Sequence, residues 1–276
     1  MITNACQRWR TGRDSYRPAG EPIATALYDV APIPGTAVAR DFVEAHHYSR
    51  SYPAARERIG LYRGGALVGV AIFSVPAQPR ALTVLGVPTD DAVELGRLVL
   101  LDDVPANGET WFLGQCFAQL RREGYAGVVS FSDPAPRTRA DGSILHGGHV
   151  GVIYQAHNAV YLGRSKAETR RILPDGTLLH GRAVAKIRKL DKGWRYAAAL
   201  LEAHGAEPLA GGDPAAWLAR WIPALTRPLA HPGNFKYAWR LDRRGRRSLP
   251  ASLPYPKINA AAVRPFGGAD GSQAAA

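Results

Sequence analysis

The chain has 276 residues, 46% of them hydrophobic and 21% charged, enough apolar side chain to build a substantial core rather than remain disordered. Two cysteines, Cys6 and Cys116, exclude a disulfide framework and an all-cysteine metal site; no apolar run reaches membrane-spanning length, and MITNACQRWRTGRDSYRP has no apolar secretory segment, so a reduced cytoplasmic setting and no membrane partner are expected. The net charge of +12 sits in the C-terminal part: residues 1–163 carry 15 basic and 15 acidic side chains, residues 164–276 carry 20 and 8, and 29 of the 35 basic residues are arginine, which grips phosphate bidentately.

Residues 1–22 are polar, basic and aperiodic and read as a flexible arm. IATALYDV (23–30) reads as a first strand, and Thr36 as the cap of a helix through AVARDFVEAHHY, with Val38, Phe42 and Ala45 on one face. RIGLYR (58–63) and ALVGVAIFSV (66–75), joined by Gly64-Gly65, read as a hairpin. VELGRLVLL (93–101) is a further strand. ETWFLGQCFAQLRREG (109–124) is a helix with Trp111, Phe112, Cys116 and Leu120 on one side and Gly124 suited to its C-terminal cap, and AGVVSFS (126–132) is a buried strand. A polar loop over 134–148 leads to a short helix, HVGVIYQAHN (149–158). Residues 161–189 read as short strands and turns, with a hairpin turn at Asp175-Gly176. The helices WRYAAALLEAHG and PAAWLARWIPAL and the strand KYAWRLDRR (236–244) follow. The order gives an α/β fold with a mixed central sheet flanked by helices, an early meander followed by a β-α-β unit, similar to the Gcn5-related N-acetyltransferase (GNAT) core. The expected limits are a basic arm over 1–22, a single domain over 23–258 with a basic C-terminal half, and a disordered tail over 259–276.

Four patches hold chemistry-bearing side chains. The first, His46-His47-Tyr48-Ser49, closes the first helix; it suits a cleft wall, or one histidine caps the helix carboxyl end. The second is Glu94-Leu95-Gly96-Arg97-Leu98. In a regular strand Glu94 and Arg97 point to opposite faces, and a mid-strand Arg97 favours a bound anion or a buried carboxylate partner. The third, Pro105-Ala106-Asn107-Gly108-Glu109-Thr110, leads into a helix whose first amides attract an anion, and Arg97, Asn107 and Gly108 are the candidate cofactor contacts. The RxxGxG/A loop that holds CoA pyrophosphate in acetyltransferases is missing here. Gly108 stands alone and Glu109 repels an anion, so a plain Asn/Gly turn reads equally well. The fourth patch runs from Ser130, Phe131, Ser132 and Asp133 to His149, Tyr154, Gln155, Asn158 and Tyr161, at a strand end where open α/β sheets place ligands. Asp133, His149 and Tyr154 are suited to base, acid and hydrogen-bond donor; the alternative for Asp133 is an Asx-turn before Pro134.

Several familiar sites are set aside. SDPAP (132–136) lacks the second proline and the aromatic of the adenine-N6 methyltransferase motif, and zinc-deaminase and P-loop motifs are missing. His46, His47, His146 and His149 match no ligand spacing, so no metal site is expected.

Taken in order, HHYS (46–49), IGLYRGGALVGVAIF (59–73), ELGRLVL (94–100), NGETWFL (107–113), VVSFSD (128–133), GHVGVIYQAHNAVYLG (148–163), KYAWRLDRR and Leu253-Pro254-Tyr255-Pro256-Lys257 resemble the Mom-type DNA modification proteins of Mu-like phages, over roughly residues 25–257. The resemblance implies a GNAT-like transferase that converts adenine in double-stranded DNA to N6-carbamoylmethyladenine, hiding phage DNA from host restriction. It implies a catalytic set drawn from His47, Tyr48, Ser130, Asp133, His149 and Tyr154. Arg164, Lys166, Arg240, Arg243, Arg244, Arg246, Arg247 and Lys257 are the expected nucleic-acid contacts. The target base has to be flipped out of the duplex, with Tyr48, Tyr154 or Phe131 to stack on it.

A carbamoylmethyl group is joined through CH2, whereas GNAT-like chemistry transfers an acyl carbon. A glycyl group reconciles the two and makes glycyl-tRNA the expected donor, with acetyl-CoA or an iron-dependent route as alternatives. Two other readings stand beside this one: an acetyl-CoA-dependent N-acyltransferase acting on a small amine or protein, and a non-catalytic DNA-binding protein. The oligomeric state is left open.

Overall fold

The computed structural model describes residues 5–10, 13–18, 20–242 and 245–257; the expected tail and Arg243 and Arg244 lie outside the described residues. The described residues divide into two compact units, one from those up to Pro134, Gly148–Arg164 and those from Asn234 on, the other from Ala135–Gly147 and Ser165–Gly233. The stretch 23–258, expected as a single domain, therefore contributes to both, because two insertions leave the chain of the first unit and build the second.

The first unit begins with a hairpin, β1 (Ala5–Arg10) and β2 (Arg13–Pro18), inside the expected arm. Next come β3 (Tyr28–Pro32), α1 (Thr36–His46), β4 (Ala55–Arg63), β5 (Ala66–Ser74), β6 (Ala92–Leu100), α2 (Gly108–Arg122) and β7 (Gly127–Ser132). The second unit takes the short strands β8 (Arg137–Thr138) and β9 (Ile144–His146), and the chain returns to the first for α3 (Val152–Ala156) and β10 (Val160–Arg164). The second insertion holds β11 (Glu168–Ile172), β12 (Leu178–Leu179), α4 (Gly181–Lys189), α5 (Trp194–Glu202), α6 (Pro214–Leu225) and β13 (Arg227–His231). The last strand, β14 (Phe235–Arg240), rejoins the sheet of the first unit.

That sheet has seven strands in the order β10-β14-β7-β6-β5-β4-β3. Neighbours are antiparallel except β6 and β7, which are joined through α2 and run parallel. The expected mixed sheet, with its meander and β-α-β unit, is present. Period-2 alternation decides which side chains meet which helix. From β5, Ala71 and Phe73 join Phe112, Leu113, Cys116 and Leu120 of α2, while Val70 and Ile72 join Ala39 and Val43 of α1; Val68, the extra residue at a register shift against β4, also falls on the α2 side. Cys116 lies wholly within this core, and burial pushes its thiol well up.

The helix ends follow local chemistry. Gly35, with φ 81°, precedes α1, so Thr36 is the first helical residue rather than the cap. Gly124, with φ 93°, follows α2, and Tyr125 N–H donates back to Leu120 C=O at 2.9 Å, closing the helix as its sequence indicates. The expected first strand starts late, at Tyr28, after a 3-10 turn over Thr25–Leu27. In the second unit, α4 forms where the sequence reads as short strands and turns. Its exposed cations obscure the short stripe of Ala183, Val184 and Ile187 that packs with α5 and α6.

Gly151, with φ 73°, starts α3, and a Cβ there would meet Tyr154 Cδ2 at 2.7 Å and Tyr237 Cε2 at 2.9 Å. Gly151→Ala is expected to destabilise the first unit by about 1–3 kcal/mol, read as a lower urea midpoint of tryptophan fluorescence; an unchanged midpoint would contradict this packing.

Candidate active site

The parallel ladder between β6 and β7 is short. It runs from Ala92↔Gly127 to Leu95↔Ser130, after which β6 continues on β5 to Leu100 and β7 continues on β14 to Ser132. The two strands part, leaving a wedge between 96–98 on one side and 131–133 on the other. At the parting point Gly96 is the extra residue of a β-bulge, since Ile72 pairs with Arg97 but Phe73 pairs with Leu95. A Cβ there would meet Ser74 Oγ at 2.6 Å and Pro53 Cγ at 3.3 Å, so a larger residue would have to turn the Ser74 hydroxyl aside.

The bulge corrects the expected geometry of the second patch. Val93 and Leu95 face α2, but beyond Gly96 it is Leu98 and Leu100 that do so, with Val99 facing α1. The alternation has slipped by one residue, which puts Glu94 and Arg97 on the same face rather than on opposite ones. Burial raises the Glu94 carboxyl, and the Arg97 charge opposes that rise.

Arg97 also links this patch to the first. Its Nε donates to Ser51 C=O at 2.9 Å and its guanidinium to Ser51 Oγ at 2.7 Å. Ser51 Oγ lies 3.4 Å from Ser49 Oγ, which is 2.9 Å from Nδ1 of the buried His47. The His47 and Tyr48 rings stack with centroids 4.3 Å apart, and the Tyr48 hydroxyl lies 3.3 Å from His149 Nε2. The His149 amide in turn donates to Asp133 C=O at 2.8 Å, holding the loop after β7 against the segment before α3, which Tyr48 ties to the loop after α1. Three patches far apart in sequence thus form one polar network around the wedge.

On the α2 side, Ser130 Oγ donates to Leu95 C=O at 2.9 Å across the end of the ladder. The Tyr154 hydroxyl meets Ser130, and its ring packs edge-on to Tyr237 and Trp239 at 5.4 and 5.6 Å. Burial holds its phenol above the ordinary value, so it is a protonated donor at neutral pH. Gln155, flagged with this patch, instead braces the fold through Val150 C=O, Tyr237 Oη and Pro256 C=O. Ser132 Oγ is buried with no hydrogen-bond partner among the described residues. The sequence places it in the fourth patch but outside the catalytic set. Ser51 was missed entirely, since a serine in a loop carries no sequence signal.

The third patch does not join this network. The N-terminal hairpin seals it. Arg8 makes a buried ion pair with Glu109, Nε to Oε1 at 2.7 Å, and donates to Leu101 C=O at 2.6 Å. Glu21 accepts the Ala106 amide on its carboxylate at 3.1 Å and the Asn107 amide on its carbonyl at 3.1 Å. Arg17 holds that carboxylate at 2.7 Å, and the Glu21 carboxyl is lowered chiefly by this bond. The Gly108 and Glu109 amides turn back to Pro105 and Ala106 carbonyls. The amides of 106–109 are therefore committed to this chain, and the turn does not fit the pyrophosphate of CoA. The Asn107 and Gly108 amides, the expected cofactor contacts, bond instead to the Glu21 and Pro105 carbonyls, and the chain's own Glu21 carboxylate takes the Ala106 amide. No group of three or more His, Cys, Asp and Glu side chains placed to hold a metal ion occurs among the described residues.

The expected nucleic-acid residues separate. Arg246, Arg247, Arg164 and Lys257 are exposed in the first unit and Lys166 in the second, with Arg164 4.5 Å over the Phe235 ring. Arg240 is a correction: its guanidinium is bonded to Asp242 Oδ1 at 2.9 Å and Leu85 C=O at 2.7 Å, bracing the turn rather than facing solvent.

The wedge and its polar network fall within residues 27–212, which match the family model of the Mom protein family. The chain belongs to the Mom protein family. Among solved structures, this Mom-family chain is similar to an N-acetyltransferase from Staphylococcus aureus Mu50, at 11% identity and TM-score 0.30, over 67% of this chain and 68% of that one. It is also similar to a Bacillus subtilis acetyltransferase in complex with CoA, at 7% identity and TM-score 0.36, over 77% and 98%. A third similar structure is a tandem GNAT protein from the clavulanic acid biosynthesis pathway, at 8% identity and TM-score 0.40, over 78% and 99%. No curated protein matches the chain. Among the described residues no helix is long and apolar enough to cross a membrane.

Two outcomes check the sealed turn. Arg8→Met is expected to cost about 3–5 kcal/mol in urea unfolding by stranding the buried Glu109 carboxylate, with most of the loss recovered in Arg8→Met/Glu109→Leu. Calorimetric titration of the wild type with CoA is expected to show no saturable binding; saturable binding would show that the hairpin gives way.

Proposed function

We propose that this chain transfers a glycyl group to N6 of adenine in double-stranded DNA, and that rearrangement then yields N6-carbamoylmethyladenine, a mark that protects DNA from restriction. The observation that carries the reading is the network joining Arg97, His47, Tyr48, His149 and the Asp133 loop around the β6/β7 wedge in a Mom-family chain. The base flips out of the duplex to reach it, with the half-buried Tyr48 ring as a stacking surface.

Adenine N6 is a poor nucleophile, because its lone pair is delocalised into the ring. Positioning therefore has to supply much of the acceleration. N6 attacks the ester carbonyl carbon of glycyl-tRNA while His149, oriented by Tyr48, or the Asp133 side chain accepts the N6 proton. The carbon–oxygen ester bond breaks, and Tyr154 gives a proton to the departing ribose oxygen. The amide product carries a free glycyl amine, which attacks C6 and closes a five-membered ring. Breaking the original C6–N6 bond opens the ring, a proton passes from the new nitrogen to the departing one, and C6–NH–CH2–C(O)NH2 results. No oxidant or reductant enters. The sealed turn before α2 supports a donor other than CoA, against the reading as an acetyl-CoA-dependent N-acyltransferase.

The test uses purified protein, duplex DNA with heavy nitrogen at adenine N6, and unlabelled glycyl-tRNA. The heavy nitrogen is expected to move to the terminal amide; heavy nitrogen still bonded to C6 overturns the rearrangement. Asp133→Asn, His149→Ala and Tyr154→Phe are each expected to lower the rate by about 10²–10⁴ with DNA binding retained. Wild-type rates in all three would remove these residues from the chemistry.

A further inference from the structure

From the second unit we infer that the corner between α4 and α5 docks a folded RNA with unstacked bases, in practice the tRNA donor; this rests on the proposed function and names where that partner is held. Residues 182–195 hold Arg182, Lys186, Arg188, Lys189, Lys192 and Arg195 against one acidic residue, Asp191. All six cations are exposed, and none pairs with a carboxylate among the described residues. Arg182, Lys186 and Lys189 fall at i, i+4 and i+7 and so line one stripe of α4, about 10 Å long. The opposite side, Ala183, Val184 and Ile187, faces the core of the unit.

Helix electrostatics accounts for only part of this cluster. Cations in the last turn of α4 complement its carboxyl end. Lys192 and Arg195, however, flank the amino end of α5, where the first turn holds no acidic residue and a positive charge opposes the dipole. Such charges are suited to a polyanion rather than to the fold.

The same corner exposes two large apolar side chains, Leu190 at 49% and Tyr196 at 75%, with Trp194 half-buried beneath Arg195, whose guanidinium lies 5.2 Å from the ring centroid. An exposed aromatic ring beside cations stacks on bases that are open to it. Duplex DNA hides its base faces, whereas folded RNA presents unstacked bases in loops and at ends. That difference favours RNA over duplex DNA as the occupant.

The experiment measures binding of the full chain to uncharged tRNA and to a DNA duplex of similar length, across a salt series. Arg188→Ala/Lys189→Ala/Lys192→Ala and Tyr196→Ala are compared with wild type, with circular dichroism confirming the fold; Gln replaces Ala if helix content drops. The triple variant is expected to bind tRNA at least tenfold more weakly, with a salt slope lower by about 2. Tyr196→Ala is expected to weaken tRNA alone, and duplex binding is expected to hold in both. Unchanged tRNA binding, or an equal loss for the duplex, overturns the inference. Nucleoside analysis of DNA separates this from the proposed function: modified adenine with unchanged tRNA binding sinks the docking surface alone. Weakened tRNA binding with adenine never modified sinks the function alone.

Discussion

The brevity of one ladder organises the first unit. Parallel strands joined by a helix could pair along their whole length, yet β6 and β7 separate after Leu95 and Ser130. Each keeps an antiparallel neighbour on its other side, so neither loses its own order when they part. The opening costs hydrogen bonds along two facing edges, and Ser130 offsets part of that by donating to the Leu95 carbonyl. The Gly96 bulge at the same point swings Arg97 onto the α1 face, where Ser51 receives it. Everything polar in the site hangs from that parting.

A second constraint is the closure of the α2 turn. The helix start would suit an anion, and the chain supplies one in Glu21, clamped by Arg17 while Arg8 neutralises Glu109 within the core. Buried ion pairs of this kind add little net stability but are costly to break, which favours a permanently filled turn over one that exchanges ligands. Two features that look independent, the wedge and the filled turn, thus bear on one question: which donor the proposed transfer can use.

Much of the first unit was legible in the sequence. The Gly64-Gly65 hairpin, the amphipathic stripe of α2 and the apolar run of β7 have periods that only one element satisfies. The candidate residues His47, Tyr48, Ser130, Asp133, His149 and Tyr154 lie around one feature of the fold, although nothing in their spacing announces a wedge. The same-face placement of Glu94 and Arg97 was not legible as such, because a bulge breaks the alternation that sequence reading assumes; Gly96 in mid-strand was its signal. The β1–β2 hairpin was hidden because Arg8, Arg17 and Glu21 pair with residues about 85–101 positions away, beyond any local period. The division into two units was hidden for the same reason, since each insertion looks locally like more of one domain.

The central claim is that this Mom-family chain chemically changes adenine in DNA, and mass spectrometry of nucleosides tests it most directly. DNA from cells expressing the intact chain as soluble, folded protein is digested to nucleosides and compared with DNA from cells without it. The account predicts a new deoxyadenosine, heavier by the mass of one glycine residue. A nucleoside pool identical to the control would contradict it.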